Sequence, residues 1–585
     1  MIKKTLTLQS CIKEYTYDQD KACSPEETVE RFKERLKATR LDILKEVKRI
    51  DNGRLDIPVY FSVCGADALR IIGNKKQMGK GSTPEQSRAS ACMELAERFS
   101  FFSFTRDENN FIVGDYEEME SAGYPVLPVE ILLHAVHDTT LSGEELKTLL
   151  EGIPMRWTWA TRLSDMEPVL LPFSWFYVIN EFNGPSAGNT REEAIMQGIC
   201  EIIERHVCAV ITREQIVTPA IDLDSISDPV ARTLIEKFQR NNIELRLNDF
   251  SLDTGIPTIG AVAWDPTTFP DKSEIVYTAG TTPDAAKAVI RALTEVAQLA
   301  GDFNSGSNYV ASGLPKPLTL EEIDHVIGSD KVIPLSAVTD IDDLDILQEI
   351  RNCVAHVQEK MGSDIYIIDT THPELQIPAA YTIIPGCHFR ERAMGGNAPM
   401  FAAKLATQLL DSHSLSQKLD VMEERLPESY FIKFYQGQLS YETGDLMTAL
   451  SCFEAALALN PAAEDIPYLY SYKGSCLRDM EQYEEAIEAL KQGLEADEER
   501  PDMHNTIGVC YFKKEQYDQA VTHFTRAVEL NPVSAIDYAN LALNLEKLGK
   551  DEQAIEQYQV ALGLDASIAF AMERLEQLLA KEAGV

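Results

Sequence analysis

Two stretches of this chain carry acidic side chains at the same spacing, 107 residues apart. The first runs from Gly81-Ser-Thr83 through Glu94 and Glu97 to Arg98; the second runs from Gly188-Asn-Thr190 through Glu201 and Glu204 to Arg205. Both read Gly-x-Thr-x-Glu and then, at an unchanged distance, Glu-x-x-Glu-Arg. Residues three apart share one face of a helix. The duplication therefore brings four carboxylates and two guanidinium groups within reach of one site. Such a set suits magnesium and a polyphosphate, because Mg2+ takes oxygen ligands and is usually held by a few carboxylates together with substrate phosphates.

Each copy predicts a helix with a defined start. Thr83 is the expected N-cap of the first, with Pro84 at the first helical position; Thr190 and Glu193 form the pattern of a capping box. Ser87 and Ser90 extend the stripe of Glu94 and Glu97, and Gln197 shares a face with Glu201 and Glu204. The rest of the second helix is apolar (Ala194, Ile195, Met196, Ile199, Cys200, Ile202, Ile203, Val207 and Cys208), so it should be buried. One Glu-x-x-Glu-Arg alone is an ordinary i,i+4 surface pair worth tenths of a kcal/mol. Two copies in matched context, one on an apolar helix, point to a site instead, since buried carboxylates need a positive partner.

The elements that must position these helices fall into three parts. Residues 1–60 predict one helical stretch, from Ser24 to about Ile50. Residues 61–410 predict a mixed α and β domain, with strands at Val169–Val178, Thr258–Trp264, Ile275–Thr278 and Asp364–Asp369 and helices at Pro283–Ala300 and Asp342–Met361. From about Pro427 the chain becomes periodic. Small residues recur at Gly437, Gly474, Gly508 and Ala542, again at Ala449, Ala486, Ala520 and Ala554, and again at Ala456, Gly493, Ala527 and Ala561. Large knobs follow at Phe453, Leu490, Phe524 and Tyr558. A step of 34 residues resembles the tetratricopeptide repeat, a pair of antiparallel helices, and predicts four repeats over 428–582. The expected fold class is α+β followed by an all-α repeat solenoid.

Composition narrows the function. With 44% hydrophobic and 25% charged residues the chain reads as an ordinary globular protein. No run of eighteen apolar residues occurs, the start lacks the apolar core of a signal peptide, and a cytoplasmic home is expected. The eleven cysteines are scattered singly without metal-ligand spacing and read as reduced, buried small hydrophobes. The ten histidines show no ligand spacing either, which disfavours a paired-metal hydrolase. A net charge of −39 argues against nucleic acid or an anionic membrane and allows a basic partner, a role also open to the acidic repeats. It also means that a nucleotide site must find its positive charge locally.

The ordered set Ser90-x-x-x-Glu94-x-x-Glu97-Arg98, Ser186, Glu193, Gln197 and Glu201-x-x-Glu204-Arg205, with Arg291-Ala-Leu-Thr-Glu295 beyond it, resembles the YcaO superfamily. The resemblance implies ATP- and magnesium-dependent phosphorylation of a peptide backbone amide oxygen, so that a nucleophile can attack the amide carbon. It implies Glu94, Glu97, Glu201 and Glu204 as magnesium ligands, with Arg205 and Arg291 neutralising phosphate. Ser186, Asn189, Glu193 and Gln197 would position the nucleotide, and Ser90 and Arg98 would support the site. No residue is singled out as the catalytic acid or base. Azoline-forming members often end in a proline-rich tail, whereas this chain ends Glu582-Ala-Gly-Val585 after the repeats. The favoured product is accordingly a thioamide rather than a cyclodehydrated azoline. The alternative is a nucleotide-binding adaptor, such as an accessory factor for ribosomal protein methylthiolation. The expected partners are a peptide or protein substrate and a sulfur-delivering or methylthiotransferase protein held by the repeats; a homodimer is allowed. Gly79-Lys80-Gly81 is too common a turn to name as a phosphate loop by itself.

Overall fold

The computed structural model describes residues 6–51, 53–73, 77–270, 273–300, 303, 317, 319–388 and 396–582. The first five residues and the chain's last three, invoked above for the signal-peptide and tail readings, lie outside these. The chain divides into two compact units, Met1–Phe401 and Ala402–Val585.

Three sheets build the first unit. The smallest is antiparallel, in the order Leu44–Arg49, Val59–Cys64, Met78–Lys80. A five-stranded sheet runs in the order Val276–Thr281, Thr258–Trp264, Glu244–Asp249, Ala220–Ile221, Val332–Ile333. A six-stranded sheet is ordered Ile112–Gly114, Met155–Arg162, Tyr366–Asp369, Ala379–Ile383, Pro185–Ala187, with Pro168–Pro172 paired to Met155–Arg162. Three of the helices among them matter most for the acidic motif. The first acidic helix, Pro84–Arg106, packs on the small sheet and on the Pro185–Ala187 and Ala379–Ile383 strands. The second, Arg191–Glu214, covers those same two strands and reaches Val276–Thr281. The third, Ala285–Ala300, lies on Thr258–Trp264 and Val276–Thr281. All nine apolar residues expected inside the second helix are buried.

Three expectations need correction. The N-terminal helix spans only Pro25–Ala38; Leu44–Arg49 is a strand, because pairing with Val59–Cys64 overrides the helix preference of its Lys and Glu residues. The run from Val169 to Val178 is a strand only to Pro172 and continues as the helix Phe173–Asn180, an apolar stretch whose period does not distinguish the two states. The capping box at Thr190 is half made. Thr190 Oγ1 accepts from the Glu193 backbone N–H at 3.1 Å, but the Glu193 carboxylate accepts from Asn189 Nδ2 at 3.1 Å and from the Ala22 N–H at 3.0 Å instead.

The second unit is helical among its described residues. Four successive helix pairs begin at Tyr430, Ile466, Pro501 and Ala535, and a further helix, Ala569–Glu582, follows. The glycines sit where the helices of a pair cross. A Cβ on Gly437, Gly474 or Gly508 would lie 2.6, 2.4 or 2.9 Å from Phe453, Leu490 or Phe524. In the fourth pair Ala542 and Tyr558 are both fully buried. Gly474→Val should therefore destabilise this unit by about 1–3 kcal/mol through overpacking against Leu490. Calorimetry of the whole chain should show the repeat transition falling while that of the first unit stays in place.

Candidate functional site

The two acidic helices and the third helix line one cavity of about 320 Å³. Glu94 and Glu97 come from the first helix and Glu201 and Glu204 from the second, and all four face it. So do Ser90, Arg98, Asn189, Glu193, Gln197, Arg205 and Arg291. Each arginine holds a carboxylate: Arg98 with Glu94 at 3.3 Å, Arg205 with Glu201 at 3.8 Å, and Arg291 Nε with Glu204 at 3.3 Å. Arg291 also donates to Gln197 Oε1 at 3.0 Å, which ties the third helix to the second. Backbone groups fix two of the glutamates: the Met78 N–H donates to Glu94 at 3.1 Å and the Thr281 N–H to Glu204 at 3.2 Å.

Two polar residues named from the sequence are not on the cavity wall. Ser186 is fully buried in its strand, behind the second helix, and its hydroxyl has no hydrogen-bond partner among the described residues. Ser87 is likewise buried; its hydroxyl donates to the backbone oxygens of Pro58 and Gly79, so it anchors the small sheet. His206, next to Arg205, turns away from the cavity. Its Nδ1 accepts the His388 N–H at 3.0 Å, and the two rings stack 5.4 Å apart.

The structure adds residues that the sequence did not single out. Gln19, Lys21 and Cys23 reach the wall from the N-terminal segment. That segment is laced to the helices by Lys13 with Glu349 at 2.6 Å, Lys21 with Glu193 at 3.9 Å, and Lys287 Nζ donating to the Thr16 and Tyr17 carbonyls. Residues 9–23 are thus part of the site's frame. Thr294, Glu295 and Gln298 join Arg291 on one face of the third helix, a spacing of three, four and seven that was legible from Arg291-Ala-Leu-Thr-Glu295 onward. Lys80 lines the cavity too and pairs with Glu295.

Burial and crowding leave this site short of positive charge. Glu94, Glu97 and Glu201 all have pKa values raised above the ordinary 4.5, Glu97 well above it. Burial is the largest cause in each; Arg98 opposes it at Glu94 and Glu97, Arg205 opposes it at Glu201, and neighbouring glutamates add to it. Burial works against the charge of Arg98 and Arg291 as well, but their carboxylate partners outweigh it and hold both above the usual value. Lys80 is pushed down to about 7, first by burial and then by Arg291.

Residues 78–388 match the family described as YcaO cyclodehydratase, ATP- and Mg2+-binding. The chain belongs to the YcaO family. Residues 469–500 and 501–532 match tetratricopeptide repeats. An uncharacterised protein of Methanothermobacter thermautotrophicus is 28% identical over 394 residues, 62% of this chain and 94% of the relative. The ribosomal protein S12 methylthiotransferase accessory factor YcaO of Escherichia coli is 30% identical over 241 residues, 38% of this chain and 40% of that protein. Among solved structures, a heterocyclase in complex with substrate and cofactor is 22% identical with a TM-score of 0.53, over 68% of this chain and 56% of the heterocyclase; the likeness is one of fold.

ATP and Mg2+ are the cofactors of the YcaO family, and the donor set here fits them. The four glutamates offer only hard oxygen ligands, and the raised pKa values of Glu94, Glu97 and Glu201 mark a site that gains from a cation. Among the described residues no three His, Cys, Asp or Glu side chains are arranged to hold a metal alone. A raised carboxylate pKa contributes stability that is full below about pH 4.5 and is lost as pH rises through the folded value. Glu97→Gln should consequently stabilise the metal-free first unit at pH 8 by about 1 kcal/mol while weakening Mg2+ binding. Urea midpoints measured from pH 5 to 8, with and without Mg2+, check both halves; no gain over wild type at pH 8 would contradict the electrostatic account.

Proposed function

We propose that this YcaO protein activates a peptide backbone amide by O-phosphorylation, so that sulfur can replace the oxygen and leave a thioamide. The observation that carries the reading is the meeting of four glutamates and three arginines from three helices at one cavity. Bound Mg·ATP would supply a transferable γ-phosphoryl group. Glu94, Glu97, Glu201 and Glu204 would hold the metal, and Arg205 and Arg291 would neutralise charge on the phosphates, the main requirement of phosphoryl transfer. Ser90, Asn189 and Gln197 would orient the nucleotide. Glu193, whose oxygens accept from Asn189 and Ala22, would brace that end of the site rather than ligate. The amide oxygen takes the phosphoryl group, the sulfur nucleophile attacks the amide carbon, and the oxygen leaves as phosphate.

A second reading rests on the 30% identity to the methylthiotransferase accessory factor. In it the first unit binds nucleotide and the repeat unit binds a methylthiotransferase, with no modified amide formed.

Calorimetry with Mg2+ and ATP tests the shared premise. Glu201→Gln and Glu204→Gln should each weaken binding by at least about tenfold. Mass spectrometry of peptides that co-purify with the chain then separates the readings. Exchange of one backbone oxygen for sulfur supports the enzyme; tight ATP binding without turnover or any mass shift supports the adaptor.

A further inference from the structure

Each repeat pairs a leading helix with a trailing one. In the fourth pair the leading helix Ala535–Lys547 presents Tyr538, Leu541, Ala542 and Leu545 to the trailing helix Asp551–Leu564. The small residue of this face receives a large one: Ala542 and Tyr558 are both fully buried, and Gly437, Gly474 and Gly508 meet Phe453, Leu490 and Phe524 in the earlier pairs. Helix Ala569–Glu582 carries the same face one 34-residue step later, as Met572, Leu575, Glu576 and Leu579. Its register also agrees on the side turned to the fourth pair, where Ala571 and Leu578 are buried. It is a fifth leading helix. Among the described residues no trailing helix covers it. Met572 and Leu579 are 43% and 41% exposed, and Leu575 between them is only partly buried.

Glu576 restricts what can cover this stripe. The other leading helices hold Gly or Ala here and leave room for an aromatic or Leu knob; Glu576 fills that room with a carboxylate. It is exposed and makes no hydrogen bond or ion pair among the described residues. The two cations of its helix are already committed, Arg574 to Glu546 at 3.3 Å and Lys581 to Asp551 at 2.5 Å. A wholly apolar helix laid on the stripe would bury the carboxylate unpaired, which is costly. A second copy of the stripe, related by a two-fold axis, would set Glu576 against its own counterpart. A helix with a basic residue at the knob position avoids both penalties.

We propose that Met572, Leu575, Glu576 and Leu579 form a docking site for an amphipathic helix of a partner protein. That helix sits as a fifth trailing helix, with a lysine or arginine where the repeats of this chain carry Phe, Tyr or Leu. The site is independent of the nucleotide chemistry of the first unit. One helix face makes a small interface, which suits a weak and exchangeable contact.

A peptide copying the trailing helix Tyr517–Leu530, acetylated and amidated, supplies the probe in two forms, Phe524→Lys and Phe524→Glu. Each is labelled and titrated with the full chain by fluorescence anisotropy. The Lys form should bind at least about tenfold more tightly than the Glu form. Glu576→Lys in the chain should reverse that order, and Leu579→Asp should weaken the Lys form by about tenfold. Glu573→Lys, an exposed position on another face of the same helix, should leave the order in place. Equal affinity of the two forms, no binding of the Lys form, or an order that Glu576→Lys does not change overturns the proposal. Reversal by Glu573→Lys as well overturns it too, because the attraction then belongs to the chain's general negative charge. So does a dimer in sedimentation that Leu579→Asp dissociates, since a second copy then fills the stripe. All three substituted positions are exposed, and unchanged far-UV circular dichroism checks that each variant is folded.

Discussion

The structure of the first unit depends on one costly arrangement: four carboxylates facing a single small cavity. Removing an ion from water costs several kcal/mol even after the protein relaxes, and like charges nearby increase that cost. The three arginines offset part of it through the pairs Arg98–Glu94, Arg205–Glu201 and Arg291–Glu204. They do not offset all of it, because Glu94, Glu97 and Glu201 still hold protons more tightly than free glutamate does. What remains is a standing demand for a cation, which a bound metal and nucleotide would meet while stabilising the folded state by mass action.

Such a demand persists only if the helices cannot turn away from it. The second acidic helix cannot, because its other faces are packed with Ile, Val, Cys and Ala residues that are buried throughout. The first is clamped between the Met78–Lys80 strand and the Pro185–Ala187 and Ala379–Ile383 strands. The third lies against the five-stranded sheet and is tied to the second through Arg291 and Gln197. Each wall of the cavity thus belongs to an element whose opposite side is committed to a sheet. The N-terminal segment then closes one end by backbone and side-chain bonds to Glu192, Glu193 and Lys287.

What could be read without coordinates was whatever repeats or keeps a period. The matched acidic spacing, the Thr83 and Thr190 caps, the apolar faces of the second helix and the 34-residue step of the repeats are all local patterns, and tertiary packing agrees with them. Where packing competes with local preference, the sequence misleads. Leu44–Arg49 looks helical until it has a strand to pair with, and Phe173–Asn180 looks extended until its aromatics pack inside. Ser87 and Ser186 have suitable chemistry close to suitable residues, yet both are buried off the cavity wall, and Ser87 spends its hydroxyl on the small sheet. Lys80 was left open and Lys21 was missed for the opposite reason. Their place in the site depends on chain segments distant in sequence, which no spacing along the chain encodes.

The i,i+4 pairs that make Glu-x-x-Glu-Arg look like ordinary helix surface are also what makes the site workable. On a surface such pairs are worth tenths of a kcal/mol. Here they supply two of the five cations (Lys21, Lys80, Arg98, Arg205, Arg291) set against six carboxylates (Glu94, Glu97, Glu193, Glu201, Glu204, Glu295), which brings the cavity toward charge balance. A chain of net charge −39 repels a polyphosphate at long range, but salt screens exposed charges beyond about 8–10 Å. Inside that distance the nearly balanced cavity governs. A bare triphosphate gains little there, since each arginine is already paired, and a bare metal ion gains the carboxylates but must also pull them from their arginines. On the proposed assignment, the two together would satisfy both sets at once, the metal taking the glutamates and the released arginines taking the phosphates. On the proposed assignment, the motif's internal salt bridges would make the site select the metal–nucleotide pair over either component alone.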